Sequence, residues 1–190
     1  TKTECTITNT RKSSIVVVKE AIPSGSTTVF PFTASYTSTV FLLADGQTAG
    51  SGLLPPGSYA VTETVPVGWQ QVATNCSNGS EPSGISVSAG ETITCTFTNR
   101  QMGEIQLRKQ LVPPGASATF SFTASYAPDA FPLGDGGVHS SGFLPAGVYT
   151  VAETVPLPGG WVQTGFACSD GSAPSNLDLE PGELMTCTIT

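Results

Sequence analysis

Residue types whose pairing could make covalent chemistry recur at matched places in this chain: Lys19, Glu63 and Asn99, with Lys109 and Glu153 repeating the first two. The glutamates lie in Tyr59-Ala60-Val61-Thr62-Glu63-Thr64-Val65-Pro66 and Tyr149-Thr150-Val151-Ala152-Glu153-Thr154-Val155-Pro156, each followed by a tryptophan, Trp69 or Trp161. Read as strands of period two, Tyr59, Val61, Glu63 and Val65 share one face, as do Tyr149, Val151, Glu153 and Val155. A carboxylate therefore falls on each apolar side. The same period puts Lys109 with Ile105 and Leu107, Lys19 at the corresponding place, and Asn99 with Cys95 and Phe97. An unpaired buried charge costs several kcal/mol, so these groups need one another. Desolvation lowers a lysine pKa and raises a glutamate pKa, which favours a neutral amine beside a neutral acid. If the acid polarises the Asn99 carboxamide, the amine can attack it, release ammonia and form a Lys-Asn isopeptide bond once. The alternative is a buried Lys-Glu ion pair capped by the amide, which contributes little net stability. Both readings stand at this point.

The elements that must position these residues are read from an internal duplication. Phe-Thr-Ala-Ser-Tyr occurs at 32–36 and 122–126, and the whole 190-residue chain divides into two repeats of about 90 residues. Gly/Pro turns separate about seven short runs in each repeat, and helical periodicity is absent. The fold class is thus all-β, with two tandem β-sandwiches of about seven strands each. Asp45-Gly46 and Asp135-Gly136 are tight-turn signals. A 90-residue sandwich buries only about two-thirds of the surface its unfolded chain exposes, so covalent staples would help it. Cys76 and Cys95 are 19 apart (95 minus 76), as are Cys168 and Cys187 (187 minus 168), which predicts one disulfide per repeat and an oxidising compartment. Cys5 has no partner in this stretch.

The boundaries read as 1–9, the last strand of a preceding repeat; 10–100, the first sandwich; and 101–190, the second, lacking its final asparagine. Cys5-Thr6-Ile7-Thr8-Asn9 matches Cys95-Thr96-Phe97-Thr98-Asn99, whereas Cys187-Thr188-Ile189-Thr190 stops one residue short of that asparagine. Two sources of a carboxamide for Lys109 are open: the next residue of a continuous array, or Asn9 of a neighbouring chain. The short polar link 100–104 predicts closely coupled domains in end-to-end arrangement.

The early-strand Lys19, the Tyr59-x-Val-x-Glu63-Thr-x-Pro-x-Gly-Trp69 block and Asn99 closing Cys-Thr-Phe-Thr-Asn together resemble the prealbumin-like, Cna B-type (SpaA-like) domains of bacterial surface proteins and pilins. The likeness covers both repeats nearly end to end. It implies transthyretin-like or immunoglobulin-like sandwiches, an internal isopeptide bond between Lys19 and Asn99 with Glu63 as catalyst, an incomplete second set in Lys109 and Glu153, and service as a stalk, adhesin or filament subunit. The paired cysteines are additional to it, and neither a sorting signal nor a linking-lysine motif is recognisable in this stretch. The expected localisation is extracellular or cell surface. Expected partners are adjacent repeats or head-to-tail copies of the chain.

Composition agrees with that setting. Charged residues make up 11% of the chain against 47 serines and threonines, and the net charge is −7. With seven basic residues and no basic run, nucleic acid is not an expected partner. No apolar run is long enough to insert in a membrane. His139 is the only histidine, which excludes His-based triads and multi-His metal sites and reads as a surface-loop residue. Neither a metal nor a cofactor is expected, and no enzyme with turnover. The rival function is a binding module in which the segments 44–52 and 134–142, which differ between the repeats, read a host or matrix ligand.

Overall fold

The computed structural model describes residues 2–190, all of them outside helices. Thr1, the first residue of the strand expected over 1–9, lies outside the described residues. Residues 2–12 are exposed and carry no strand. Two compact units follow one another, Thr1–Arg100 and Gln101–Thr190.

The first unit is built from β1 (Ser14–Ile22), β2 (Phe30–Ala34), β3 (Thr37–Leu43), β4 (Thr48–Gly50), β5 (Gly57–Tyr59), β6 (Val61–Glu63), β7 (Trp69–Cys76), β8 (Ile85–Val87) and β9 (Thr92–Gln101). A four-stranded sheet of order β4-β1-β9-β7 accompanies a three-stranded sheet, β3-β2-β6, and the ribbon β5-β8. Ile15, Val17, Phe30, Phe32, Val61, Ile85, Ile93 and Phe97 fill the core, each contributing about 1.5–3 kcal/mol by leaving water. The first and last strands lie side by side and parallel, in a register that sets Lys19 opposite Phe97 and Ala21 opposite Asn99.

The second unit repeats this plan with β10 (Gly103–Lys109), β11 (Thr119–Ala124), β12 (Phe131–Gly134), β13 (Val138–Leu144), β14 (Gly147–Tyr149), β15 (Val151–Glu153), β16 (Phe166–Cys168), β17 (Leu177–Leu179) and β18 (Leu184–Ile189). Its sheets are β13-β10-β18-β16, β12-β11-β15 and β14-β17. Again the first and last strands are parallel, with Lys109 opposite Ile189.

Nine strands per unit replace the seven expected, and the reason is local. The run from Tyr59 to Val65, expected as one strand, is divided at Ala60. Ser35 accepts the Ala60 N–H on its hydroxyl at 2.9 Å and gives its own N–H to the Ala60 carbonyl at 2.9 Å. Those bonds stand where ladder bonds would, so β5 pairs with β8 while β6 turns to β2. Val65 lies beyond the strand and is 36% exposed, outside the inward set in which period two placed it.

The Asp-Gly turns connect strands of different sheets, β3 to β4 and β12 to β13, rather than closing hairpins. Their carboxylates fasten the exit of the first strand instead. Asp45 accepts the N–H groups of Ala21 (2.6 Å) and Gly25 (2.7 Å), and Asp135 accepts those of Leu111 (2.8 Å) and Gly115 (2.7 Å). These backbone donors hold both carboxyls below their ordinary pKa of 3.8. A depressed folded-state pKa gives stability that is fully present above the unfolded value and is lost as pH falls through the folded one. Asp45→Asn is therefore expected to weaken the first unit at neutral pH and to flatten its loss of stability below pH 3.8, as acid titrations of both chains would show.

Each disulfide joins neighbouring strands of one sheet, Cys76 on β7 to Cys95 on β9 and Cys168 on β16 to Cys187 on β18. With a sequence separation of 19, each closes a loop worth about 3 kcal/mol in the chain-entropy treatment. Replacing Cys168 and Cys187 by alanine is expected to lower the unfolding free energy of the second unit by about that amount. Denaturant unfolding measures it, and an unchanged midpoint would contradict it. Cys5 is exposed and unbridged.

The two segments of the rival binding reading differ: the first is mostly turn and loop and the second mostly strand. Residues 44–52 contain β4, and 134–142 contain most of β13. His139 stands on β13, half-buried and stacked on Phe131 with ring centroids 3.6 Å apart, not in a surface loop. Burial lowers its pKa.

Candidate functional site

Lys19 reaches the interior of the first unit because Ile15, Val17, Lys19 and Ala21 alternate on the buried face of β1. Asn99 arrives on the neighbouring β9 by the same alternation from Ile93, Cys95 and Phe97. Both residues are 0% exposed. Glu63 enters from the facing sheet at the end of β6, with a fully buried side chain.

Lys19 Nζ donates to Asn99 Oδ1 at 3.1 Å and to the Phe97 and Glu20 carbonyls at 3.1 and 2.5 Å. Glu63 Oε1 lies 3.5 Å away, and the Phe30 ring centroid 4.1 Å. Burial lowers the Lys19 pKa, opposed by the nearby Glu63 carboxylate. Two buried atoms lack hydrogen-bond partners, Glu63 Oε1 and Asn99 Nδ2. The amine is thus directed at the carboxamide, while the amide nitrogen that would leave and an acid oxygen that could protonate it are both unengaged.

Sequence reasoning missed Gln71. Its Nε2 donates to Glu63 Oε2 at 3.0 Å. The available signal was a glutamine two residues beyond the tryptophan in both repeats, Trp69-Gln70-Gln71 and Trp161-Val162-Gln163.

In the second unit, Lys109 and Glu153 are brought together as expected. Nζ and Oε1 are 2.8 Å apart, with side chains 2% and 1% exposed. The contact lacks hydrogen-bond angles, so both Glu153 oxygens remain without a hydrogen bond. The Phe120 ring centroid lies 4.3 Å from the ammonium. A cavity of about 420 Å³ opens beside Lys109, walled by Leu111, Phe120, Trp161 and Thr190. Asn9, the other candidate amide, is exposed on a segment without a strand. Trp69 and Trp161 meet Phe30 and Phe120 edge-on at 5.1 and 5.7 Å, so both pack into their units.

Compared with known proteins, the chain matches the profile of the prealbumin-like fold domain over residues 9–97 and again over 111–189. No curated protein sequence matches it significantly. Among solved structures, the Bacillus anthracis TIE protein is 23% identical and is aligned over 94% of this chain and 33% of its own, with a TM-score of 0.41. This chain therefore spans about a third of that protein's length. The major pilin T-13 of Streptococcus pyogenes is 15% identical over 96% of this chain and 97% of its own, with a TM-score of 0.43. The shaft pilin SpaA of Lactobacillus rhamnosus GG is 13% identical over 94% and 98%, with a TM-score of 0.32.

Proposed function

The chain belongs to the SpaA-type prealbumin-like fold domain family, and from that premise we propose that it is a structural repeat unit of an extracellular stalk, adhesin or filament whose first sandwich locks itself by a Lys19–Asn99 isopeptide bond. The observation that carries this reading is the buried triad itself: Lys19 Nζ at 3.1 Å from Asn99 Oδ1 and 3.5 Å from Glu63 Oε1.

The chemistry balances with these residues alone. Neutral Lys19 Nζ attacks Asn99 Cγ, forming the N–C bond and a tetrahedral centre. Glu63 takes the proton that Nζ sheds and delivers it to Nδ2, the Cγ–Nδ2 bond breaks, and ammonia leaves. Glu63 ends as it began, and the site has then consumed its own substrate. The protein does this once and is not an enzyme with turnover.

Position explains the use. Lys19 and Asn99 stand on the first and last strands of the unit, so a bond between them ties the two points through which load would enter. Pulling a single chain by its ends tests this. With the Cys76–Cys95 bridge reduced, the first unit should release almost none of the segment between Lys19 and Asn99 on unfolding, and all of it in Glu63→Gln. Full release from both chains would contradict the proposal.

The second unit holds the same acid–amine pair beside a cavity of about 420 Å³, with room for a carboxamide side chain brought by another segment. Asn9 of a neighbouring copy, in Cys5-Thr6-Ile7-Thr8-Asn9, is of that class. It would link copies head to tail. Reduced, denatured multimers that disappear in Lys109→Ala would support this link, and monomers alone would exclude it. The disulfides support an oxidising setting, outside the cell or on its surface.

A further inference from the structure

We infer that Gln71 is a positioning residue for the cross-linking step, holding the Glu63 carboxylate so that its free oxygen faces Lys19 and Asn99. This rests on the isopeptide reading above. The Glu63 side chain is fully buried, yet one oxygen is bound and the other is not: Oε2 accepts from Gln71 Nε2 at 3.0 Å, and Oε1 has no hydrogen bond. A carboxylate bonded at neither oxygen is free to rotate about its Cγ–Cδ bond. Fixing Oε2 leaves Oε1 pointed into the reaction space, 3.5 Å from the amine.

Gln71 is exposed, but its strand is anchored on both sides of it. It sits on β7, next in the sheet to β9, which bears Asn99. Cys76, five residues further along (76 minus 71), is bridged to Cys95 on that same strand. Trp69, two residues earlier, packs edge-on against Phe30 at 5.1 Å, and Phe30 lies beneath the Lys19 ammonium at 4.1 Å. The amide therefore spans from the edge of one sheet to the edge of the other, over Glu63. The residue type suits the task. A basic side chain here would compete with Lys19 for the carboxylate, and an acidic one would repel it, whereas a neutral donor orients without adding charge.

The second unit provides an internal contrast. Gln163 occupies the same place relative to its tryptophan but makes no hydrogen bond to Glu153, whose Oε1 instead faces the Lys109 ammonium at 2.8 Å. There the strand is short: β16 covers only Phe166–Cys168, where β7 runs from Trp69 to Cys76. The carboxylate is oriented where the full strand is present.

The test follows cross-link formation in the full chain. Protein is synthesised in a short isotopic pulse and quenched at intervals in denaturant, and intact mass gives the fraction that has lost one ammonia. Gln71→Met, which keeps the length and removes the donor, is expected to slow this loss by roughly 10- to 100-fold and to change its pH dependence. Gln70→Met, the same substitution on the outward face of β7, is expected to change neither. Thermal unfolding of both variants controls for folding. Ammonia loss at the parental rate and pH profile in Gln71→Met would overturn this inference and leave the isopeptide reading standing. No ammonia loss in the unsubstituted chain would overturn both.

Discussion

Asn99→Ala is expected to lower the unfolding free energy of the first sandwich by about 4.5 kcal/mol and to raise its denaturant m-value. The first figure is the loop-closure entropy of a cross-link between residues 80 apart in sequence. It is large against the 5–15 kcal/mol that typically separates folded from unfolded domains. The m-value is the discriminating readout, because a buried asparagine also stabilises without any covalent bond. Its loss would leave one Lys19 Nζ–H donor without its acceptor, at a cost of about 1–3 kcal/mol. That loss would leave the compactness of the unfolded chain unchanged. A cross-linked unfolded chain is more compact and exposes less surface, so releasing it steepens the denaturant dependence. A loss of stability with an unchanged m-value would assign Asn99 to hydrogen bonding alone.

Glu153→Ala is expected to destabilise the second sandwich by about 3–5 kcal/mol, because it strands the Lys109 ammonium, 2% exposed, without its counter-charge. The two cavities that border the pair, about 420 Å³ beside Lys109 and about 210 Å³ beside Glu153, admit solvent and favour the lower end of that range. Replacing both residues, Lys109→Met with Glu153→Leu, is expected to leave stability within about 1 kcal/mol of the parent or above it, since neither charge then requires desolvation. Chemical denaturation of the two variants measures the difference. Equal destabilisation by the single and double changes would show that packing at these positions, rather than charge pairing, carries the effect.

What was legible in the sequence follows from what a two-residue period can report. It identified Lys19, Glu63, Asn99, Lys109 and Glu153 as inward because each interrupts an apolar alternation, and the structure buries all five side chains. The half-cystines were legible from their repeated spacing. The division of the Tyr59–Val65 run was not, since it depends on Ser35, in the turn after β2 and 25 residues earlier in the chain, bonding to Ala60. The Asp45 and Asp135 turns were found, but their clamp on the exit of β1 and β10 is a tertiary contact that a turn signal cannot reveal. His139 was misplaced because Gly134 to Gly137 reads as an open loop, whereas pairing with β10 begins at Val138. Gln71 escaped for a different reason. A polar residue on an edge strand is ordinary, and only the facing carboxylate on β6 gives it a task. The parallel register of β1 and β9, which brings Lys19 to Asn99, is likewise fixed by the fold and absent from any local pattern.

The most direct measurement of the central claim is the intact mass of the purified chain under denaturing, reducing conditions. The account predicts a mass lower than the reduced sequence mass by one ammonia. It also predicts full sequence mass in Lys19→Ala and in Asn99→Ala, each computed for its own sequence, and recovery of the missing ammonia in Glu63→Gln. Fragmentation of the parent protein should place the branch between Lys19 and Asn99. Full sequence mass in the unsubstituted, folded chain would contradict the account and leave Lys19, Glu63 and Asn99 as a buried ion pair with an amide cap.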